Sequence, residues 1–355
     1  MDLPGHLSAK NLFNAFLMVA VGIPPVLFVR WWNDTCTAAA LNDLPQGADV
    51  GLWDVLGDSQ RWQDQDLWCK YSLLHPVGFL NVLFFVFVCL LFWLINLFQR
   101  STWLIDPYWT IAPVMINHYF MYHPLANETL TLRSLLCTVL LWLWSLRLTH
   151  SYFRREEWRF GVREDWRFAD MRQRHGALVW GFLSLWVAFV SQQPMLVGIC
   201  LPLYAVHHGN GEAWGLSWGE GLCAAGCVAG LWIAYVADTQ LREFMLANER
   251  RAARGEPKEL LLDRGLWRYS RHPNYFGEQL WWWSLAGFGV LLGQPWVVAG
   301  TFLNSVVLAV VTVMTERRIL RVEARRKLYG EYQSRTSVWI PLPKFGRPSS
   351  AVKQE

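Results

Sequence analysis

The stretch GLWRYSRHPNYFGEQLWWW, Gly265 to Trp283, sets charged and polar side chains directly against the start of an apolar segment. Pro273 suits the first turn of a helix, where a missing N–H costs no intrahelical bond. A helix starting there puts Asn274 and Glu278 four residues apart on one face, with Tyr275 beside them. Helix N-termini offer free backbone N–H groups and a partial positive charge, and Arg271 and His272 stand immediately before this one. The stretch therefore predicts an anion-binding corner at the head of a membrane helix. A flank that merely orients a span needs basic residues alone. Here the polar side chains continue into the helix as Asn274, Tyr275 and Glu278.

The sequence on either side is that of a membrane protein. Hydrophobic residues make up 53% of the 355, and 23 residues are Trp, a type that gathers at membrane interfaces. A spanning helix needs about 20 apolar residues. Four candidates precede the basic loop at Ser151: Leu12 to Val29 with Pro24 and Pro25, Leu73 to Phe98, Trp103 to Tyr122, and Leu130 to Thr149. Ala177 to Val206, broken by Pro194 and Pro202, reads as one kinked span or two half-spans. Trp218 to Ala237 follows, then Phe276 to Leu292 and Trp296 to Thr315, a hairpin through Gly293-Gln294-Pro295. The expected fold is an all-α transmembrane bundle of about eight spans with a cytosolic C-terminal helix, Glu316 to Arg335. Expected boundaries are 1–100 for the N-terminal spans, including a polar segment at 31–70, then 101–341 for the main membrane domain. Residues 342–355 read as a disordered tail.

Ser151 to His175, Leu241 to Arg271 and the tail are basic, whereas Trp31 to Lys70 carries seven Asp against Arg61 and Lys70. The positive-inside rule puts the basic segments in the cytosol and the acidic one opposite, which eight spans with cytosolic termini satisfy. A net charge of +4, confined to such flanks, gives no support to nucleic-acid binding. Cys36 and Cys69 flank the acidic segment, and a disulfide between them is open if that side is oxidising. The first apolar run lacks a clear small-residue cleavage site and reads as an anchor.

Other places carry pattern as well: Glu164-Asp165-Trp166-Arg167, the pair Asp238 and Gln240, and Tyr329-Gly330-Glu331-Tyr332. With RHPNYFGE and the preceding GLWRYS, they resemble the superfamily of steroid 5-alpha-reductases and sterol C14- and C7-reductases. The likeness runs from about Asp106 to Pro341 and is nearest to a steroid-reductase-like branch. Isoprenylcysteine carboxyl methyltransferases share the RHP-x-Y-x-G core more distantly. The long acidic segment and the Trp-rich spans point to the endoplasmic reticulum. The resemblance implies an integral membrane oxidoreductase with a cytosol-facing cofactor site. It would use NADPH to reduce a carbon–carbon double bond in a steroid, sterol-like or polyisoprenoid lipid. By motif position it assigns NADPH contacts to Arg271, His272, Asn274, Tyr275 and Glu278, with Trp267 and Arg268 from the preceding GLWRYS; Gln240 joins them by its place just before the basic loop. From the tail it adds Glu316, Arg317, Arg321 and Tyr329. The acidic and cysteine-bearing tail pattern of the sterol reductases is absent.

The residues themselves sharpen some of these expectations. Arg317, Arg321 and Arg325 recur every four residues, so one continuous helix would line them up for phosphates or for anionic lipid. Asp106 and Asp238 are the candidate catalytic acids, because a carboxyl kept protonated by an apolar site can donate a hydrogen bond. Asp106 precedes Pro107 and also reads as an N-cap. Glu164 to Arg167 either pins its loop by ion pairs or closes over the site. Gln192 and Gln193 either satisfy the backbone freed at Pro194 or face a ligand. His207, His208 and Glu212 lack the HExxH spacing, and no metal is expected. No Rossmann GxGxxG follows a strand, so a nucleotide site must be built from helix ends and loops. Two other classes stay open. One is an S-adenosylmethionine-dependent lipid or prenyl-cysteine methyltransferase, against which two arginine-bearing elements argue, since that cofactor has no phosphate. The other is a non-catalytic lipid-binding membrane protein.

Overall fold

The computed structural model describes residues 8–45, 47–127, 131–209 and 215–344. Among them the architecture is all-helical, and the one strand-like pairing is a parallel bridge between Ser270 and Ser337. Helices α1 (Ala9–Ala20) and α2 (Ile23–Thr35) form the first apolar run, with Pro24 and Pro25 in the opening turn of α2. The acidic segment holds α3 (Leu52–Leu56) and α4 (Gln65–Leu74). Next, α5 (Pro76–Phe84) continues through a π-helical turn into α6 (Leu91–Gln99). Then come α7 (Ile105–Met121), α8 (Leu132–Arg155), α9 (Trp166–Ser184), α10 (Gln193–Ile199) and α11 (Leu201–His208). The chain closes with α12 (Trp218–Ala253), α13 (Pro273–Leu291), α14 (Val298–Leu320) and α15 (Glu323–Arg335).

Among the described residues, six helical runs are long and apolar enough to cross a membrane: Ala9–Thr35, Pro76–Gln99, Leu132–Arg155, Trp166–His208, Trp218–Ala253 and Pro295–Leu320. This is an integral membrane protein. Of the eight expected spans, those at α7 and α13 fall outside this set. The first is only 17 residues long, and both dilute their aliphatic side chains with Trp, Tyr and amides.

The chain divides into two compact units. The first comprises Met1–Gly221 and Leu285–Thr301. Its acidic segment is tied down by a Cys36–Cys69 disulfide. Polar groups inside it are answered in pairs. Asn117 donates to Thr138 at 3.1 Å and Ser145 to the Thr110 carbonyl at 2.6 Å. Gln193 donates to Asn81, and Trp109 to Gln192, so both glutamines before the Pro194 kink are used internally. A buried Arg133–Glu220 ion pair stands at the head of α12, where Glu220 also accepts from the Ser217 N–H at 2.7 Å, closing a capping box. His207 is buried between Ser134 and Asn117, both at 3.0 Å, while Glu212 lies outside the described residues.

The basic segment before the fifth apolar run is not all loop, since α9 already begins at Trp166. Glu164 accepts from the Thr102 N–H at 2.7 Å and pairs with Arg172 at 2.8 Å. Asp165 caps α9; burial pushes its carboxyl up, but the Arg167 side chain and N–H hold it below the ordinary value on balance. These contacts support pinning as the role of Glu164 to Arg167. Gly176, at φ +76°, then bends α9 where its charged half gives way to its apolar half.

The second unit comprises Leu222–Ser284 and Phe302–Glu355. Helix α12 has 36 residues, a length of about 54 Å, so it outruns a hydrocarbon core of about 30 Å. Its later turns, from Asp238 onward, therefore lie beyond the stretch needed to span. Here α12 and α13 touch backbone to backbone. A Cβ on Gly277 would sit 2.6 Å from the Ala234 nitrogen and 2.7 Å from the Gly230 carbonyl oxygen. Close approach through small residues is how membrane helices gain contact when lipid is as apolar as their side chains.

Candidate functional site

The RHPNYFGE motif is seated on α12 by side chains that sequence resemblance assigned to cofactor contact. The Gln240 Oε1 accepts from the Leu266 N–H at 3.0 Å, beneath Gly265, whose φ of +60° makes the turn. Trp267 is buried and donates its indole N–H to the Ala237 carbonyl at 3.1 Å. Both residues therefore hold the motif in place. Arg268 is exposed.

Glu316 organises the next layer. It accepts from Arg271 Nε at 2.7 Å, lies 3.0 Å from His272 Nε2, and accepts from Gln333 at 2.7 Å. The Tyr329 hydroxyl reaches it at 3.4 Å. Burial, with Glu316 beside it, pushes the Tyr329 hydroxyl up, so it stays a protonated donor. Arg271 also donates to the carbonyls of Gln333 and Thr336, at 2.9 and 2.8 Å. The backbone N–H groups of Arg271 and His272 bond to the carbonyls of Ser337 and Val338. Tyr332, buried, donates to the carbonyls of Trp267 and Ser270. Arg271 and His272 are thus drawn inward, clasping the segment after α15 to the head of α13.

This arrangement corrects the expected arginine stripe. One continuous helix would put Tyr329 about 20 Å along its axis from Glu316, thirteen residues away. Instead α14 ends at Leu320, Val322 is extended at φ −80°, ψ 109°, and α15 starts anew at Glu323. Arg317 is on α14, Arg321 in the break and Arg325 on α15, with Arg317 and Arg321 exposed. Glu316 supplies the reason: only a reversal brings Tyr329 and Gln333 back to it.

On the other side of the corner, Asn274 Nδ2 donates to Asp238 Oδ1 at 3.1 Å. The Asn274 Oδ1 is buried and has no partner among the described residues. Tyr275 stacks on the His272 ring, centroids 5.1 Å apart, and Glu278 is half-buried one turn further along α13. Asp238, Asn274 and Tyr275 are therefore brought together beside the clasp.

Asp106 belongs to the first unit. It does not cap α7: Leu104 is the N-cap, and Asp106 lies one residue inside the first turn. Pro107 therefore follows it inside the helix instead of opening it.

Sequence reasoning missed Gln333 and gave no role to Ser270 and Tyr332, because their contacts depend on the reversal after α14. It also passed over Arg147, which is buried within the apolar run of α8. A charge in such a run was itself the signal, since intramembrane charges are costly and mark internal sites.

A family model described as a protein of unknown function, DUF1295, matches residues 92–336. The chain belongs to that family, which is steroid 5-alpha-reductase-like. An uncharacterized protein of Schizosaccharomyces pombe is 25% identical over 270 residues, covering 70% of this chain and 75% of the relative. No solved structure matches the chain.

Proposed function

We propose that the protein is a membrane-embedded, NADPH-dependent reductase of a carbon–carbon double bond in a steroid, sterol-like or polyisoprenoid lipid. Membership of a steroid-reductase-like family supports the class. The observation that carries the cofactor reading is the buried, partnerless Asn274 Oδ1, fixed by Asp238 through the other end of the same amide. A buried acceptor without a donor is costly, and an amide or ribose hydroxyl of a nucleotide would supply the donor. Exposed Arg268, Arg317 and Arg321 fit the phosphates, whereas Arg271 serves the clasp.

NADPH, when bound, supplies hydride. The protein's part is to hold the acceptor lipid and deliver a proton to the second carbon of the double bond. Asp106 and Asp238 are the candidate donors, and the carboxylate left behind recovers its proton from water. Counting α7 and α13 as crossings gives eight spans with both termini cytosolic. The acidic segment then lies in the lumen of the endoplasmic reticulum and the cofactor site in the cytosol.

Thermal shift of the detergent-purified protein tests the reading, because a ligand of the native state raises apparent stability. NADPH is expected to raise the melting temperature at concentrations about tenfold below those needed for NADH, since surplus arginines can take the 2′-phosphate. Asn274→Ala should weaken that response about tenfold while leaving the unliganded melting temperature close to wild type. Stabilisation by S-adenosylmethionine and not by NADPH would transfer the protein to the methyltransferase class. A response to none of the three would leave a non-catalytic lipid-binding protein.

A further inference from the structure

We propose that the first unit carries a second binding site, for an organic cation, at the end of the bundle that bears the acidic segment. This site goes beyond the reductase reading and does not depend on it. A cavity of about 400 Å³ opens there, within the usual range for small-molecule sites. Asp49, Tyr71, His75, Tyr204 and Trp296 are among the residues that line it, one carboxylate side chain and four aromatic ones. Tyr71 and His75 have centroids 5.3 Å apart, and Tyr204 and Trp296 are 6.1 Å apart, so the rings form two neighbouring pairs.

Asp49 is fixed in place while keeping its access to solvent. Its Oδ1 accepts from the Val50 N–H at 2.9 Å and lies 2.7 Å from His75 Nε2, yet its side chain is 69% exposed. Gly78 keeps room for the Tyr71 ring, because a Cβ there would collide with the Tyr71 hydroxyl.

The chemistry of the lining selects the ligand. A carboxylate among aromatic rings attracts cations twice, by charge and through ring faces that act within about 6 Å. No Lys or Arg lines the cavity among the described residues, so a phosphate or carboxylate ligand finds no strong counter-charge. The segment at 31–70 that supplies Asp49 holds seven Asp against Arg61 and Lys70, so the field at the mouth also favours positive charge. The Cys36–Cys69 disulfide ties that segment down on the side the positive-inside rule makes non-cytosolic. The ligand is accordingly an amine or quaternary ammonium with a small apolar body, met from the non-cytosolic side.

Equilibrium dialysis of the full chain in dodecyl maltoside tests the site. Labelled choline and decyltrimethylammonium are compared with 3,3-dimethylbutan-1-ol, the uncharged isostere of choline. Saturable binding of a cation is expected, with the isostere weaker by about tenfold or more. Asp49→Asn and Trp296→Leu should each cost about tenfold in cation affinity. Melting temperatures measured on the same samples separate that loss from unfolding, and exposed Asp49 makes the first variant a mild one. Tighter binding of the decyl compound would point to a membrane-borne amine, and equal binding to a soluble one; both support the site. Equal affinity for choline and its isostere, or wild-type cation affinity in both variants, would overturn it.

Discussion

Replacing Glu316 with Ala is expected to cost about 3–5 kcal/mol of stability, the usual penalty for stripping a buried charge of its partner. Arg271 and Glu316 are 10% and 12% exposed as side chains, so solvent cannot take over the role of the lost carboxylate. The same change takes away the acceptor for Gln333 and Tyr329, the contacts that turn α15 back. The expected readouts are a lower melting temperature in detergent and new protease cleavage within 323–344. Glu316→Gln keeps the shape and part of the hydrogen bonding, and should fall between wild type and Ala. Arg271→Ala should resemble Glu316→Ala. The double variant should be much less than additive, since both singles break one network. A consequence follows for the nucleotide site. Loss of NADPH binding in Arg271→Ala would not make Arg271 a phosphate ligand, because its guanidinium is already spent on Glu316, Gln333 and Thr336.

The second large effect belongs to Gly277. An added Cβ would meet the Ala234 nitrogen and the Gly230 carbonyl oxygen, both backbone, so neither neighbour can rotate away. Gly277→Ala should therefore push α13 off α12 at a cost of about 1–3 kcal/mol or more. It should also pull Asn274 away from Asp238, which meet about one turn from this contact. Loss of nucleotide response is expected along with a lower melting temperature. Gly330→Ala, in α15 with nothing within 4 Å of its Cβ, is the control. It should gain up to about 1 kcal/mol from helix propensity alone. Paired melting curves of the two variants check the contrast directly.

Much of the fold was legible from periodicity and charge. Aliphatic runs announced the helices, whereas Pro24 and Pro25, read as a kink within one span, fall in the opening turn of a separate α2. The head of α13 was legible too, because Pro273 fixes its first turn and puts Asn274 and Tyr275 just after it. What could not be read was the reversal after Leu320. Arg317, Arg321 and Arg325 have a helical spacing, and nothing local says that Val322 is extended. The break is maintained by bonds from Tyr329 and Gln333 to Glu316, which are tertiary and invisible to spacing. For the same reason Arg271 looked like a surface guanidinium. Gln240 and Trp267 likewise looked available to a ligand, while their actual partners are backbone groups of the neighbouring turn and helix.

The central claim is hydride transfer to a lipid, and deuterium tracing tests it most directly. Purified protein is incubated with extracted membrane lipids and NADPH deuterated at C4 of the nicotinamide, and the lipids are analysed by mass spectrometry. The account predicts a reduced product carrying one deuterium on carbon, formed in step with NADP⁺ and, at subsaturating NADPH, about tenfold more slowly in Asn274→Ala. Unlabelled lipids and unconsumed NADPH, with methyl groups passing from S-adenosylmethionine to lipid under the same conditions, would contradict it.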